Sequence, residues 1–214
     1  MALCGVDEAG KGPVLGSMFV AAVRVTDRSA LPTRVADSKR LSPTRREELA
    51  AQLQAADAVT IGIAEITPDR IDDPQTDMNT LTVAGHAEAL NVVAANGDRA
   101  TVDAGDVNAK RFATRVTDRV TPTVDLTAEH GADDRHPIVG AASVVAKVER
   151  DTHIEALATE YGAIGSGYPS DPTTRTFLED YVAENGTLPA CARTSWQTAE
   201  DILDAAEQSA LDQF

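Results

Sequence analysis

The sequence is poor in lysine, aromatic residues and cysteine. Only 4 of its 214 residues are Lys, and aromatic residues make up 4%. The two cysteines, Cys4 and Cys191, form no CxxC pattern, which favours reduced structural thiols. No apolar run reaches the ~18 residues that a membrane-spanning helix needs, and the basic and apolar regions of a secretory signal are missing. We expect a cytoplasmic, monomeric protein with no membrane partner.

Acidic residues, in contrast, are abundant. The chain has 34 acids and 19 bases, a net charge of −15, and its acids are 21 Asp and 13 Glu. This composition is typical of a halophile, because in molar salt the Debye length falls to about 3 Å and surface repulsion is screened. An ordinary acidic protein is the alternative. Binding to nucleic acid normally depends on Lys and Arg that neutralise phosphates, so such a partner would require a local basic cluster.

The hydrophobic pattern predicts an α/β fold with one substantial domain. The predicted strands cover residues 2–7, 17–25, 58–66, 99–105 and 121–128. The predicted helices cover residues 43–56, 79–95, 106–119 and 134–161, and shorter helices follow. Strands come first and then alternate with helices, so we expect a mixed five-stranded sheet covered by helices.

Three acids stand at positions where they can converge. Asp7 closes the apolar run ALCGV, Asp103 closes ATV, and Asp133 precedes the long predicted helix. Adjacent acid pairs such as Asp7-Glu8 are no more frequent than the composition alone produces, so the pair by itself carries no information. Clustered carboxylates at one sheet edge favour a Mg²⁺ or Mn²⁺ site. The alternative is a set of ordinary acids at the starts of loops.

The segment Gly10-Lys11-Gly12-Pro13 follows the first strand directly. It is not a Walker sequence, but its glycines allow backbone groups to approach a ligand closely. A plain hairpin turn is the alternative. For the histidines, a surface or helix-packing role is favoured over metal binding, and Trp196 is expected in the core. The histidines are His86, His130, His136 and His153.

Six blocks of the sequence, in order, resemble the ribonuclease HII family (type 2 ribonucleases H) in its archaeal, and more specifically haloarchaeal, form. These blocks, which span roughly residues 3–198, are GVDEAGKGPVLGSMFVAAV, VADSKRLSPTRREEL, TVDAGDVN, AEHGADDRHPIVGAASVVAKVERD, GSGYPSDP and RTSWQT. The resemblance implies a ribonuclease H-like catalytic domain over residues 1–165. It further implies a small helical region over residues 166–205 and a tail over residues 206–214.

The resemblance also implies roles for particular residues. The catalytic, metal-binding acids of the family fall on Asp7, Glu8, Asp103 and Asp133, and Asp134 is the neighbour to use as a control. The motif that reads the ribonucleotide 2′-OH falls on Gly10, Lys11 and Gly12. The phosphate-contacting lysine falls on Lys39 and the sugar-packing tyrosine on Tyr168. Lys147 and Arg150 fall on a basic helix face.

The implied reaction is endonucleolytic hydrolysis at ribonucleotides. The family resemblance implies cleavage of the RNA strand of RNA–DNA hybrids and cleavage 5′ to single ribonucleotides in duplex DNA. Two Mg²⁺ or Mn²⁺ ions would support the reaction, and the products would be 3′-OH and 5′-phosphate ends. The alternatives are another nuclease of the same fold, such as a hybrid-only ribonuclease H or a junction resolvase, and a non-catalytic, clamp-tethered nucleic-acid binder.

Two further features concern departures from the family and the end of the chain. Lys11 replaces the usual Arg, and Gly131 replaces the usual Lys of the E-H-K-A-D block.

The terminal QSALDQF matches QxxLxxF, a short form of the peptide that docks on sliding clamps, through Gln208, Leu211 and Phe214. We therefore expect a sliding clamp as a partner. A frayed end of an amphipathic helix is the alternative.

Overall fold

A mixed sheet forms the centre of the fold. The structure, a computed structural model, describes residues 1–32 and 41–211. Within these residues five strands form one sheet in the order β3-β2-β1-β4-β5. They are β1 (Leu3–Ala9), β2 (Met18–Val25), β3 (Val59–Ile66), β4 (Arg99–Asp103) and β5 (Asp125–Glu129). Strand β1 is antiparallel to β2 and parallel to β4, and β4 is parallel to β5. The predicted mixed five-stranded sheet is confirmed.

Helices connect and flank these strands. They are α1 (Pro43–Gln54), α2 (Pro68–Ile71), α3 (Met78–Val93), α4 (Ala109–Thr117), α5 (Ala132–Arg135), α6 (Pro137–Tyr161), α7 (Pro172–Asn185) and α8 (Gln197–Leu211), with a 3₁₀ turn at Arg28–Ala30. Helix α1 begins as its sequence predicts, because Ser42 Oγ accepts a hydrogen bond from the Arg45 N–H and Pro43 occupies the first turn. Among the described helices, none combines the length and apolarity needed to cross a bilayer.

The long helix predicted from residue 134 begins later than expected. The structure has the short helix α5, a break at His136, and then α6 from Pro137. His136 is extended (φ −117°, ψ 108°), because the ring of a following proline disfavours helical backbone in the residue before it. Strand β5 also begins four residues later than predicted. The Thr121 and Thr123 N–H groups donate to the side chains of Asn91 and Asn96 instead of to a strand.

The described chain divides into two compact units, and the predicted boundaries at residues 165 and 205 stay predictions. Within the described ranges, unit 1 comprises residues 1–9, 18–32, 41–65 and 78–150, and unit 2 comprises residues 10–17, 66–77 and 151–211. In unit 1, Ala21, Val23 and Val25 of β2 share a core cluster with apolar residues of α1 and α6. Unit 2 has its own core, formed by residues that include Val14, Leu15, Ile164, Leu178, Val182 and Ile202.

The close approach of Gly5 to α6 shows which helix lies on each face of β1. A Cβ added to Gly5 would lie 2.4 Å from the Ile138 carbonyl group, so Gly5 allows α6 to lie directly on β1. Side chains alternate between the two faces of a strand. Asp7 therefore points to the same side as α6, and Glu8 points to the opposite side, where α3 contacts β1.

Candidate active site

The sheet register brings two of the predicted acids together. Val6 pairs with Val102 across the parallel strands β1 and β4, and Asp7 and Asp103 are the next residue on each strand. Asp7 is buried, with 6% of its surface exposed. The strand-end placement that the sequence predicts is therefore present in unit 1.

The carboxyl group of Asp7 has an unfavourable environment for its charge. Burial raises its pKa well above the usual range, and the neighbouring carboxylates of Glu8 and Asp103 raise it further. Hydrogen bonds from Ser143 and from the Glu8 N–H, the latter at 2.8 Å, act in the opposite direction. A cation among these carboxylates would relieve their repulsion.

Ser143 links this acid to one of the predicted basic residues. Its side chain is buried in α6 and hydrogen-bonds Asp7. Its Oγ also accepts a hydrogen bond of 2.9 Å from Lys147 Nζ, one helical turn further on. Since a hydroxyl can donate and accept at once, Ser143 connects Asp7 to Lys147. Lys147 is therefore linked to Asp7 through the Ser143 side chain, and its contact with substrate stays a prediction.

Glu8 occupies a separate niche on the α3 side of the sheet. Its Oε2 lies 2.9 Å from Nε2 of His86, which is fully buried in α3. His86 in turn contacts Phe112 edge-to-face, with ring centroids 5.0 Å apart. A Cβ added to Gly105 would lie 2.7 Å from the Thr82 methyl group and 3.3 Å from Glu8 Oε1. One Glu8 oxygen therefore contacts His86, and the other lies near Gly105, where the absence of a side chain leaves room for it.

The remaining acids lie around the start of α5. Asp103 Oδ1 accepts a hydrogen bond of 2.8 Å from the Ala132 N–H. Asp133 follows Ala132 directly and is buried, with 2% of its surface exposed, whereas the neighbouring Asp134 is exposed. Asp133 and its intended control Asp134 therefore differ in burial, and the role of Asp133 in catalysis stays a prediction.

Gly131, which stands where the resemblance leads us to expect Lys, has a left-handed backbone conformation. Gly131 has φ 63° and ψ 38° and caps the N-terminus of α5. A Cβ there would meet no atom within 4 Å, so the space is open and the cost of a side chain lies in the left-handed backbone.

The donor set suits hard divalent cations. Asp7, Glu8, Asp103 and Asp133 offer only carboxylate oxygens, the ligand type that Mg²⁺ and Mn²⁺ prefer. In the part of the chain that the structure describes, no group of three His, Cys, Asp or Glu side chains is already arranged for metal binding. The donor chemistry therefore fits a divalent cation, and binding requires side-chain adjustment.

The glycine-flanked loop belongs to unit 2. Gly10 is buried, Lys11 is half-buried and Gly12 is exposed. Tyr168 is 46% exposed, and its Cε1 would lie 3.8 Å from a Cβ added to Gly12. The predicted junction-reading loop and the predicted sugar-packing tyrosine are therefore neighbours.

Interactions within unit 2 hold Tyr168 in place. The Val14 and Leu15 N–H groups both donate to the Gly167 carbonyl, at 2.8 and 3.2 Å. Asp171 accepts hydrogen bonds from the Ser166 N–H and hydroxyl, both at 2.7 Å. The exposed tyrosine ring thus projects from a fixed turn.

The other predicted residues are less informative. Arg150 is buried near the end of unit 1, and its contact with substrate stays a prediction. Lys39 lies outside the described residues. Gln208 is exposed on α8, the backbone of that helix continues to Leu211, and Phe214 lies outside the described residues.

Sequence reasoning missed three residues that support the site. For His86 the sequence favours a surface or helix-packing role, and the buried ring does pack against Phe112, but it also contacts Glu8. Ser143 hydrogen-bonds Asp7, and the only hint of this in the sequence is the AAS motif to which it belongs. Arg193 donates to the Gly10 and Lys11 carbonyls, and the only hint of this in the sequence is that it is the one charged residue of RTSWQT. Trp196, expected in the core, packs there half-buried and also donates from Nε1 to the Gly12 carbonyl at 3.2 Å.

Comparison with known proteins identifies the family to which the chain is similar. The ribonuclease HII family model matches residues 4–199. A ribonuclease HII of Haloarcula marismortui is 64% identical over 211 residues, which cover 98% of this chain and 99% of that relative. Its haloarchaeal source agrees with the interpretation of the acid-rich composition.

Two solved structures share the fold and much of the sequence. The crystal structure of ribonuclease H2 from Pyrococcus horikoshii OT3 matches with a TM-score of 0.90 and 37% identity, over 97% of this chain and 100% of that one. A PCNA:RNase HII complex from Archaeoglobus fulgidus matches with a TM-score of 0.83 and 36% identity, over 92% and 96% of the two chains. The chain belongs to the ribonuclease HII family and is an endonuclease of the ribonuclease H type, acting on RNA–DNA hybrids.

Proposed function

We propose that this ribonuclease cuts 5′ to single ribonucleotides embedded in duplex DNA as well as within RNA–DNA hybrids, and that it leaves 3′-OH and 5′-phosphate ends. The observation that carries the proposal is the buried Asp7, which lies with Glu8 and Asp103 at adjacent strand ends. Burying a carboxylate among other carboxylates is costly unless a cation or proton compensates the charge. Such an arrangement suits phosphodiester hydrolysis.

The four acids would hold two divalent ions, Mg²⁺ or Mn²⁺. Bound ions of this kind supply Lewis-acid stabilisation of the phosphate and of the leaving oxygen, together with an activated water. The protein contributes oriented carboxylates. Ser143 hydrogen-bonds Asp7, His86 contacts Glu8, and the Ala132 N–H holds Asp103. These contacts limit the reorientation that Asp7, Glu8 and Asp103 would undergo on metal binding.

The loop and tyrosine of unit 2 would recognise the sugar. The 2′-OH is the group that distinguishes RNA from DNA, and loop glycines allow backbone groups to reach it. Tyr168, exposed beside Gly12, would pack on the sugar that follows the ribonucleotide. Lys11, Lys39, Lys147 and Arg150 would each contact substrate phosphates, the kind of cationic contact on which binding to nucleic acid depends.

Cleavage of matched duplexes tests the proposal. Three substrates, a hybrid, a DNA duplex with one ribonucleotide and an all-DNA duplex, are incubated in molar KCl with Mg²⁺ or Mn²⁺. We expect the first two to be cut, with ligatable 5′-phosphate at the nick. Asp7→Asn and Asp133→Asn should lower kcat by at least ~100-fold, in the range of losing a group that stabilises transition-state charge. The exposed Asp134→Asn is the matched control and should stay active.

Each rival predicts a different pattern. A hybrid-only ribonuclease H cuts the hybrid and leaves the single-ribonucleotide duplex intact, and a junction resolvase cuts branched DNA. A non-catalytic binder retains duplexes on a filter and cuts none of them with either metal. Equal rates for the wild type and Asp7→Asn would show that the four acids are not the catalytic centre.

We further infer that the tail docks on a sliding clamp. Two facts support this: the QxxLxxF match of Gln208, Leu211 and Phe214, and the PCNA complex of the Archaeoglobus fulgidus relative. Phe214→Ala should remove binding to the clamp of the source organism and leave cleavage of free duplex unchanged. Gln213→Ala, at a variable position of the motif, is the control. Unchanged clamp affinity in Phe214→Ala would exclude this tail as the docking peptide.

A further inference from the structure

A buried arginine organises the loop that follows β1. Arg193 belongs to unit 2 and has no exposed surface. Its guanidinium donates to three backbone carbonyls of the loop. They belong to Gly10 at 2.6 Å, Lys11 at 3.0 Å and Gly16 at 2.9 Å. The loop therefore folds around one guanidinium group.

The backbone of Arg193 is fixed to the same segment. Its N–H donates to the Val14 carbonyl at 2.8 Å. The neighbouring Ala192 forms a bridge with Leu15, and the Gly16 N–H donates to the Cys191 carbonyl at 2.7 Å. Both ends of the arginine are thus anchored to residues 10–16, so its side chain cannot shift without moving the loop.

Two further contacts hold the arginine segment itself. The Trp196 ring lies under the guanidinium, 5.0 Å from Arg193 Cζ, at a distance suited to a cation–π interaction. Asp72 accepts hydrogen bonds from the N–H and hydroxyl groups of both Thr194 and Ser195, at 2.5 to 3.0 Å. These contacts restrict the two residues that lie between Arg193 and Trp196.

Only arginine can make this set of contacts. Its planar fork presents five donors in fixed directions, and it stays protonated. A lysine at the same position has a point charge and three donors on one atom, so it cannot span carbonyls that lie on different sides of a guanidinium. Together, Arg193 and Trp196 bind the carbonyls of Gly10, Lys11 and Gly12, one after another.

We propose that Arg193 is a positioning residue for substrate choice: it fixes the backbone of residues 10–16 in the conformation that distinguishes a ribonucleotide from a deoxyribonucleotide. This inference rests on the proposed function, because it assumes that this loop reads the 2′-OH. It assigns the selectivity to the backbone held by Arg193 and not to the side chain of Lys11.

Binding without cleavage separates selectivity from catalysis. All variants are made in an Asp7→Asn background, and dissociation constants are measured for a DNA duplex with one ribonucleotide and for its all-DNA counterpart. The ratio of the two constants is the selectivity. Arg193→Lys should lower this ratio by about tenfold, the equivalent of about one well-placed hydrogen bond. Affinity for the all-DNA duplex should change less than about twofold, because the charge is retained.

Control variants exclude a general loss of structure. Arg175→Lys makes the same substitution at an exposed position of α7 and should leave the ratio unchanged. Thermal unfolding shows whether each variant is folded. If Arg193→Lys does not fold, Trp196→Phe decides the question, because it keeps an aromatic ring and removes the hydrogen bond to Gly12. It should lower the ratio by about threefold, as loss of a weaker hydrogen bond does.

The outcomes distinguish this inference from the proposed function. If the Asp7→Asn parent binds both duplexes equally, the proposed reading of the ribonucleotide is wrong and this inference falls with it. If the parent prefers the ribonucleotide and folded Arg193→Lys keeps the same ratio, only the role of Arg193 is wrong. Hydrogen exchange gives a separate readout, since amides of residues 10–17 should exchange faster in Arg193→Lys, and unchanged exchange overturns the inference.

Discussion

The contact between His86 and Glu8 predicts that metal binding and folding stability respond differently to one substitution. His86 is fully buried, and its Nε2 lies 2.9 Å from Glu8 Oε2. An ionised carboxylate can only accept hydrogen bonds, so Nε2–H is the donor whenever Glu8 is ionised. The other ring nitrogen, Nδ1, is buried and has no hydrogen-bond partner among the described residues. His86→Leu removes both features at once.

The expected magnitudes follow from these contacts. A hydrogen bond to a charged group contributes about 1.5–3 kcal/mol, and loss of the partner of a metal ligand typically costs about 10–100-fold in metal affinity or activity. The unfolding free energy should fall by less than this hydrogen bond contributes, because leucine can fill a similar space against Phe112. The unsatisfied Nδ1, whose burial is unfavourable, disappears as well.

Two measurements on three proteins test this reasoning. Calorimetric titration with Mn²⁺ reports metal affinity without substrate, and chemical unfolding reports stability. His86→Leu should bind Mn²⁺ at least about tenfold more weakly. His86→Gln, which places an amide N–H at a reach similar to Nε2, should recover most of this loss. If His86→Leu binds Mn²⁺ as tightly as the wild type, or if His86→Gln is as impaired as His86→Leu, His86 does not position Glu8.

Three further predictions concern stability, pH and substrate affinity. Gly5→Ala should lower the unfolding free energy by about 1–3 kcal/mol in a denaturant titration, because the new methyl would overlap backbone atoms of α6; an unchanged midpoint would refute the close approach. Burial alone would raise the pKa of Asp98, but hydrogen bonds from Arg24 and two backbone N–H groups hold that pKa below its usual range. Ionised Asp98 therefore stabilises the fold at neutral pH, and this contribution is lost as the pH falls below about 4. Asp98→Asn should flatten that part of the pH–stability curve, and a curve parallel to the wild type would contradict the assignment. Lys11→Ala should weaken binding to ribonucleotide-containing and all-DNA duplexes by the same factor, because Arg193 holds the Lys11 carbonyl and not its side chain. A loss of affinity for only one of the duplexes would show that the Lys11 side chain takes part in sugar recognition.

The sheet and the strand-end acids could be predicted because their signals are local. Strand β1 and strand β4 each read as short apolar runs that end in an acid, and parallel pairing then brings Asp7 beside Asp103. The break before α6 was also encoded locally, in the His136-Pro137 step, but the small apolar residues that follow suggested one continuous helix. The helix interior was therefore predicted correctly and its first residues were not.

The supporting residues could not be predicted, because their partners are distant in the sequence. His86 is 78 positions from Glu8, and Arg193 is 183 positions from Gly10. A buried histidine in an apolar helix looks the same in sequence whether it packs against a core or contacts a carboxylate. Alternation along β1 turns Glu8 toward α3, and only the three-dimensional arrangement shows which α3 side chain it meets.

The enclosure of Arg193 has a consequence for work in concentrated salt. Ions screen charges that they can approach and displace contacts with phosphates, but they cannot reach a guanidinium with no exposed surface. Raising KCl should therefore weaken the attachment of this enzyme to any duplex and leave its preference for a ribonucleotide nearly constant. For a protein with a net charge of −15, the proposed role of Arg193 would separate how tightly a nucleic acid is held from how accurately its sugar is identified.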